Sequence, residues 1–127
     1  MTNFQNIGSG LFSVDVTILS GASASEPFTL QGKVLVGILM PSGWTAASLG
    51  FAGCASGRIA DMQQIYDKTG SPETAVAAAS KPIALPNSDP LWFPFMQVLS
   101  VQVADKVTLV TQGADRTLTL FFRAYQS

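Results

Sequence analysis

The chain has 127 residues, a formal net charge of −1, and 12% charged residues beside 47% hydrophobic ones. It contains no histidine and one cysteine, which excludes Ser-His-Asp and Cys-His catalysis, an internal disulfide and a thiolate zinc site. At this length we expect a single domain with a self-sufficient hydrophobic core.

Charged side chains are scarce, since an ordinary soluble domain has about 25% of them. A neutral surface is easy to desolvate, so the composition favours assembly with other protein surfaces over a bland monomer. The basic residues are scattered singly, whereas nucleic-acid binding draws on clustered Lys and Arg. No apolar run reaches the roughly 18 residues of a membrane span, and the first ten residues do not resemble a signal peptide. We therefore expect neither a nucleic-acid nor a membrane partner, and synthesis in the cytoplasm.

Period-2 alternation of apolar and polar residues predicts short β-strands through most of the chain. Residues 11–19 have Phe, Val, Val and Ile on one face, and residues 34–40 are apolar on both faces, as in a central strand. Strands are predicted at 11–19, 28–33, 34–40, 47–51, 59–67, 74–80, 95–103, 106–111 and 116–125. Residues 59–67 also show apolar residues at helical spacing, and residues 74–80 are rich in alanine, but both segments are too short for a stable helix.

Turns and prolines separate these strands. Four prolines between 81 and 94 predict a long extended loop, and residues 112–115 predict a hairpin connection between the last two strands. Eight or nine short strands predict an all-β fold, an antiparallel β-sandwich of which the jelly roll is one form. We assign residues 1–10 to an N-terminal arm and residues 11–127 to a single sandwich domain.

Two apolar features are candidate contact surfaces. Hydrophobic residues of the arm are predicted to dock either on a neighbouring subunit or on their own domain. The large apolar side chains of 91–96 surround a proline and cannot all face one core, so they either form a contact patch or plug an open end of the sandwich. The predicted interface residues are Phe4, Ile7, Trp92, Phe93 and Phe95.

The sequence offers little for catalysis, and we predict no catalytic, cofactor-binding or metal-binding residue. Most carboxylates fall at predicted turns or strand ends, and Cys54 lies in a small-residue loop where an inert thiol is expected. One binding site is conceivable: Asn87 to Asp89 beside Trp92 could hold a sugar. The same Asn-Ser-Asp sequence before a proline is also typical of an ordinary turn.

One sequence pattern runs from Val36 through Met40-Pro41 and Trp44-Thr45 to Phe51. It is followed by a Tyr-Asp pair before a glycine turn at 66–70 and by Gln and Arg-x-Leu-x-Leu at 112–120. This pattern resembles a motif of small structural proteins from the virion gene modules of tailed bacteriophages. The similarity covers roughly residues 30–125 and departs at 53–57, where relatives carry an acidic Asp-Gly turn.

The resemblance implies a non-enzymatic virion component without a cofactor. We expect a capsid decoration, or cement, protein that stabilises the phage head by oligomeric packing, as a dimer or trimer on the major capsid protein. An adaptor of the tail, baseplate or neck, the base of a fibre, and a carbohydrate-binding module for the host surface are the alternatives. Within the motif, Trp44 is predicted to cap the sandwich end, with its indole N–H on a carbonyl.

Overall fold

The computed structural model describes residues 4–8, 10–85 and 93–124, which form ten β-strands, one 3-10 helix at Ile59–Asp61 and no α-helix. The strands are β1 (Gln5–Gly8), β2 (Leu11–Ile18), β3 (Phe28–Thr29), β4 (Lys33–Leu39), β5 (Ser48–Cys54), β6 (Gln63–Gln64), β7 (Thr74–Ala75), β8 (Pro82–Ala84), β9 (Phe95–Val101) and β10 (Arg116–Ala124).

These strands build two antiparallel sheets that pack as a sandwich. The first sheet has the order β1-β2-β10-β4-β8, and the second has the order β3-β9-β5-β6, with β7 also paired to β5. The predicted all-β antiparallel sandwich is therefore confirmed, with ten strands in place of eight or nine. Part of the predicted N-terminal arm forms β1, which pairs with the start of β2.

Strands from the first half of the chain pair with strands from the second half in reverse order. The pairs are β2 with β10, β3 with β9, β4 with β8, and β5 with β6 and β7. The chain is thus a long hairpin whose two arms cross together from one sheet to the other. This connectivity is that of a jelly roll, in which two Greek keys close a double sheet.

The core lies between the two sheets and follows from the period-2 pattern, because alternate residues of each strand face inward. Full burial of one such aliphatic or aromatic side chain contributes about 1.5–3 kcal/mol to the free energy of unfolding. The fully buried strand residues include Ile18, Ile38, Leu49, Phe51, Met96, Val98, Leu118, Leu120 and Phe122.

The prediction of a strand at 106–111, joined by a hairpin at 112–115 to the last strand, was wrong. Residues 102–110 instead form a hairpin at the end of β9, where the Gln102 N–H donates to the Thr108 carbonyl at 2.8 Å. β10 pairs with β2 and β4 in the other sheet. Alternation shows which face of a strand is apolar, but it does not identify the strand's partner.

Other predicted strands are shorter than expected. The strand at 28–33 stops at Thr29 because Gln31 and Gly32 have positive φ angles of 51° and 77°. In 59–67, a 3-10 helix with no buried residue precedes the two-residue β6, and in 74–80 only β7 is strand. The predicted loop at 81–94 contains β8 at a sheet edge, where Pro82 is tolerated because it has no N–H to pair.

Candidate functional site

A buried hydrogen-bond network joins two parts of the sequence motif, the Trp44-Thr45 pair and the segment with Gln112 and Arg116, which are far apart in the chain. The Gln112 side chain is 1% exposed, and its Oε1 accepts the backbone N–H of Thr45 at 2.8 Å. Its Nε2 donates to the Thr45 carbonyl at 3.2 Å and to the Ser100 hydroxyl at 2.9 Å. Arg116 Nε donates to the same Oε1 at 3.2 Å. The Trp-Thr pair and the Gln…Arg motif therefore meet in space and support each other.

Backbone contacts and one glycine hold this network in position. The Gln112 N–H donates to the Ala22 carbonyl at 2.9 Å, and the Gln112 carbonyl accepts the Gly21 N–H at 2.8 Å. At Gly43, a Cβ would lie 2.5 Å from Nη1 of Arg116, so the lack of a side chain makes room for the guanidinium. Because Gln112 is fully enclosed, the network has a fold-keeping role.

Trp44 occupies the neighbouring position in this loop. Its ring packs against the main core cluster, and its Nε1 donates to the Ala47 carbonyl at 3.1 Å. The predicted indole hydrogen bond is confirmed. A large apolar side chain with a satisfied N–H suits the end of a sandwich, since burial of an unpaired donor would be destabilising.

Two of the predicted interface residues belong to the segment that enters β1. Phe4 is half-buried and makes edge-to-face contacts with Phe122 at 5.1 Å and Phe12 at 6.4 Å between ring centroids. Lys33 Nζ lies 4.3 Å from the Phe4 ring centroid. Phe4 thus docks on its own domain, whereas Ile7 is 48% exposed in β1. A role for either residue between subunits stays a prediction.

Two other predicted interface residues rest on the glycine-rich loop at 53–57. A Cβ at Gly53 would lie 2.9 Å from both Cβ and Cγ of Phe93, and a Cβ at Gly57 would lie 3.0 Å from Cε1 of Phe95. Gly57 also has a φ of +80°, which favours glycine. The absence of a side chain at Gly53, near the end of β5, and at Gly57, in the turn that follows, therefore accommodates two aromatic rings.

Part of each ring still faces solvent: the Phe93 side chain is 44% exposed, and Phe95 is half-buried. Each of these two rings packs on its own domain and keeps an outer surface, and the choice between a contact patch and a plug of the sandwich end stays open. Trp92 and the candidate sugar ligands Asn87 to Asp89 lie outside the described residues. Contacts of these aromatic residues with another subunit stay a prediction.

The sequence prediction missed an exposed apolar group on the 102–110 hairpin. Val103 is 63% exposed, Val107 is 41% exposed and Leu109 is 54% exposed. The signal was present as alternating apolar residues from 107 onward, but it was interpreted as a strand within a sheet. Aliphatic side chains at this exposure are candidates for contact with another protein surface.

The hairpin that carries these residues is well hydrogen-bonded. The Asp105 carboxylate accepts the backbone N–H groups of Val107 and Thr108, each at 2.9 Å, and the Thr108 hydroxyl. These bonds, above all that from the hydroxyl, lower the pKa of Asp105 below its usual value of 3.8. Gln64 Nε2 donates to the Lys106 carbonyl at 2.8 Å, which ties the turn to β6. The valines are thus presented by an ordered element.

A second surface feature is a cleft of about 640 Å³ beside β2 and β3, which we call the β2–β3 cleft. Its floor includes Val16 and Phe28, each 3% exposed, and the exposed carboxylates Asp15 and Glu26 also line it. Its described lining consists of Gln5, Ser13, Val14, Asp15, Val16, Glu26, Pro27, Phe28, Thr29, Gly57 and Phe95. No sequence pattern predicts this cleft, because β2 and β3 are ten residues apart and meet only through the packing of the sheets.

Among the described residues, no group of three or more His, Cys, Asp or Glu could hold a metal ion. No helix in that part of the chain is long and apolar enough to cross a membrane. No protein-family model, curated protein or solved structure matches this chain.

Proposed function

We propose that this chain is a non-enzymatic structural component of a tailed-bacteriophage particle, and that it decorates the capsid as an oligomer that stabilises the head. In the alternative virion location, it is an adaptor of the tail, baseplate or neck, or the base of a fibre. The mechanism in either location is burial of neutral and apolar surface against copies of itself or against neighbouring virion proteins.

The observation that carries the proposal is the exposed apolar group on the 102–110 hairpin. Three aliphatic side chains are between 41% and 63% exposed on an ordered turn, in a chain with only 12% charged residues. Exposed apolar residues contribute free energy once an interface covers them and removes their surface from water. Stable interfaces bury about 1,200–2,000 Å² in total, or roughly 600–1,000 Å² on each partner, which is about a tenth of the 6905 Å² surface of this chain.

The assignment to a phage particle draws on the motif resemblance. The hydrogen bonds between Gln112, Thr45 and Arg116 support it indirectly, because they give the separated motif residues one shared structural purpose. Residues held together by such a network stabilise the fold. The exposed loops around them can then differ in sequence and bind a particular partner.

The proposal is tested by native mass spectrometry of the purified chain at low micromolar concentration. We expect a discrete dimer or trimer, and we expect a Val107→Ser/Leu109→Ser variant to raise the dissociation constant at least about tenfold, which corresponds to about 1.4 kcal/mol. Leu19→Ser is the matched control, because Leu19 is 59% exposed but lies outside the hairpin, so the oligomer should be unaffected.

A second experiment places the protein in the particle. Quantitative mass spectrometry of virions of the phage that encodes the chain should detect it, and its copy number distinguishes the shell from the tail. A copy number comparable to that of the shell subunits would support decoration of the head, and a copy number that fits a single symmetric ring would support the tail or neck. Absence of the chain from the purified particle would contradict a virion role, whatever its oligomeric state in solution.

A further inference from the structure

The β2–β3 cleft borders an unpaired stretch of sheet edge. β1 pairs with β2 only as far as Ser13, which lies opposite Gln5, whereas β2 continues to Ile18 and pairs with β10 along its other edge. Within the residues that the structure describes, no strand pairs with this free edge of β2 beyond Ser13. Over about 17 Å of this edge, at about 3.4 Å per residue, no described strand pairs with the outward backbone N–H and C=O groups of β2.

The cleft beside this edge has an apolar floor. Val16 and Phe28 are almost fully buried there, and Val14 is half-buried beside them. The Phe95 ring forms part of the wall, against Gly57. A strand added next to β2 would direct every second side chain toward this floor, because side chains alternate between the two faces of a sheet.

The charges at the cleft have one sign. Asp15 lies in the exposed face of β2, Glu26 lies just before β3, and both side chains line the cleft. None of the described lining residues is a lysine or arginine. The Asp15 carboxylate keeps a position on the sheet because its Oδ1 accepts the Thr119 hydroxyl at 2.8 Å. Cationic side chains therefore complement this cleft.

We propose that the β2–β3 cleft binds an extended segment of a partner protein that alternates aliphatic and basic residues. The segment adds as a strand beside β2, places its aliphatic side chains on the floor, and places Lys or Arg next to Asp15 and Glu26. Backbone hydrogen bonds along the edge supply affinity, and the alternate side chains supply specificity. The inference does not depend on the protein belonging to a virion.

A partner protein fits this cleft better than a second copy of the chain does. The basic residues that lie in strands are Lys33, in β4, and Arg116 and Arg123, in β10. Both strands are paired along both edges inside the first sheet. A second copy would have to break its own first sheet to donate β4 or β10. Contacts at an exposed edge could not compensate for that loss of stability.

The test uses the full chain, labelled with ¹⁵N, and a capped hexapeptide of alternating lysine and valine as the probe. We expect amide shift changes confined to residues 13–18 and 26–29, and a dissociation constant that rises with salt concentration because the contacts are partly ionic. A peptide of alternating glutamate and valine should bind at least about tenfold more weakly. A peptide in which prolines remove the pairing N–H groups should lose binding to a similar degree.

Isosteric variants connect the binding to the two carboxylates. Asp15→Asn/Glu26→Gln should weaken binding of the lysine-valine peptide about three- to tenfold, as expected for two exposed ion pairs. Asp61→Asn/Glu73→Gln is the matched control, since it removes the same formal charge outside the cleft lining and should leave affinity unchanged. The ¹⁵N spectra of both variants verify that the fold is kept.

Absence of binding to the lysine-valine peptide would overturn the inference. Equal affinity for the glutamate and proline peptides, or shift changes centred on the 102–110 hairpin, would overturn it as well. The oligomer that we expect in native mass spectrometry would depend on the hairpin and not on the cleft, so failure at the cleft and failure of the proposed virion role are separately observable.

Discussion

The buried side chain of Gln112 links the backbone at Thr45 to Ser100 in β9 and to Arg116 in β10. Its amide group is enclosed, and it satisfies the backbone of Thr45 and the hydroxyl of Ser100 together. Every enclosed side-chain nitrogen and oxygen among the described residues has a partner. In a medium of low polarity such a network is stabilising only while it is complete, since an unpaired group has no water to bind.

Substitution of Gln112 by Ala should therefore lower the free energy of unfolding by about 1–3 kcal/mol, because Thr45 and Ser100 lose their partner inside the protein. Urea unfolding followed by tryptophan fluorescence measures the change. Gln102→Ala is the matched control, since Gln102 is exposed, and it should cost less than about 0.5 kcal/mol. Equal costs for the two variants would show that the network is energetically unimportant.

Two carboxylates in turns predict how stability responds to acid. The pKa of Asp67 is lowered from 3.8, chiefly by the Thr69 hydroxyl and then by the Ser71 N–H, and the pKa of Asp105 is lowered chiefly by the Thr108 hydroxyl. Because each pKa is lower in the folded than in the unfolded state, the stabilisation is complete above the unfolded value and is lost as pH falls through the folded value.

Melting temperatures measured between about pH 7 and about pH 2 test this expectation. The Asp67→Asn/Asp105→Asn variant should melt lower than the wild type at neutral pH, and the two should converge below pH 3.8, the usual value for Asp. Curves that stay parallel through the acid range would contradict a role for the two turns. Asparagine keeps the Oδ1 acceptor of both turns, but at position 105 it replaces Oδ2, the acceptor of the Thr108 hydroxyl, so the variant removes that bond together with the charge.

Two apolar residues of the N-terminal segment, one just before β1 and one within it, have different roles. Phe4 precedes the strand and packs edge-to-face on Phe122, while Ile7 within it is 48% exposed. The first residue anchors the segment to the sandwich. The second is available to a partner, because nothing in the described domain covers half of its surface.

Phe4→Ala should lower the free energy of unfolding by about 2 kcal/mol, less than a fully enclosed phenylalanine because Phe4 is only half-buried. Ile7→Ala should change it by less than about 0.5 kcal/mol. Denaturant unfolding of both variants, at a protein concentration too low for association, measures the two free energies of unfolding. A larger cost at Ile7 than at Phe4 would mean that the N-terminal segment is held differently.

For the molecule as a whole, the reversed pairing of the two chain halves makes most strand contacts remote in sequence. The Thr17 and Thr117 hydroxyls, for example, lie 2.9 Å apart across β2 and β10 although one hundred residues separate them. Such pairs form only after a long loop has closed, and its entropy must be lost first.

We therefore expect refolding on the millisecond to second timescale that is usual for sandwiches with remote pairing. Stopped-flow dilution from denaturant with tryptophan fluorescence measures the rate. Refolding in microseconds would indicate that local contacts, such as the 102–110 hairpin, carry more of the stability than the sheets do.

Sequence patterns were sufficient for the fold class and for much of the core, and the reason is local. Alternation in 11–19 identifies Val16 and Ile18 as inward-facing, since their neighbours along the strand must face the other way. The position of Trp44 just after a proline break likewise predicts a cap with a nearby carbonyl. Each inference needs only the residues next to the one in question.

Only the tertiary structure showed four features of the protein. These are the strand partners, the burial of Gln112, the glycines in contact with Phe93 and Phe95, and the β2–β3 cleft. Each depends on residues far apart in sequence that meet when the two halves of the long hairpin wrap around each other. The period-2 pattern predicts which face of a strand is apolar. Which strands pair, and which side chains become buried, depends on the free energy of the whole packed sandwich. The same packing leaves Val107 and Leu109 outside, where a partner can cover them.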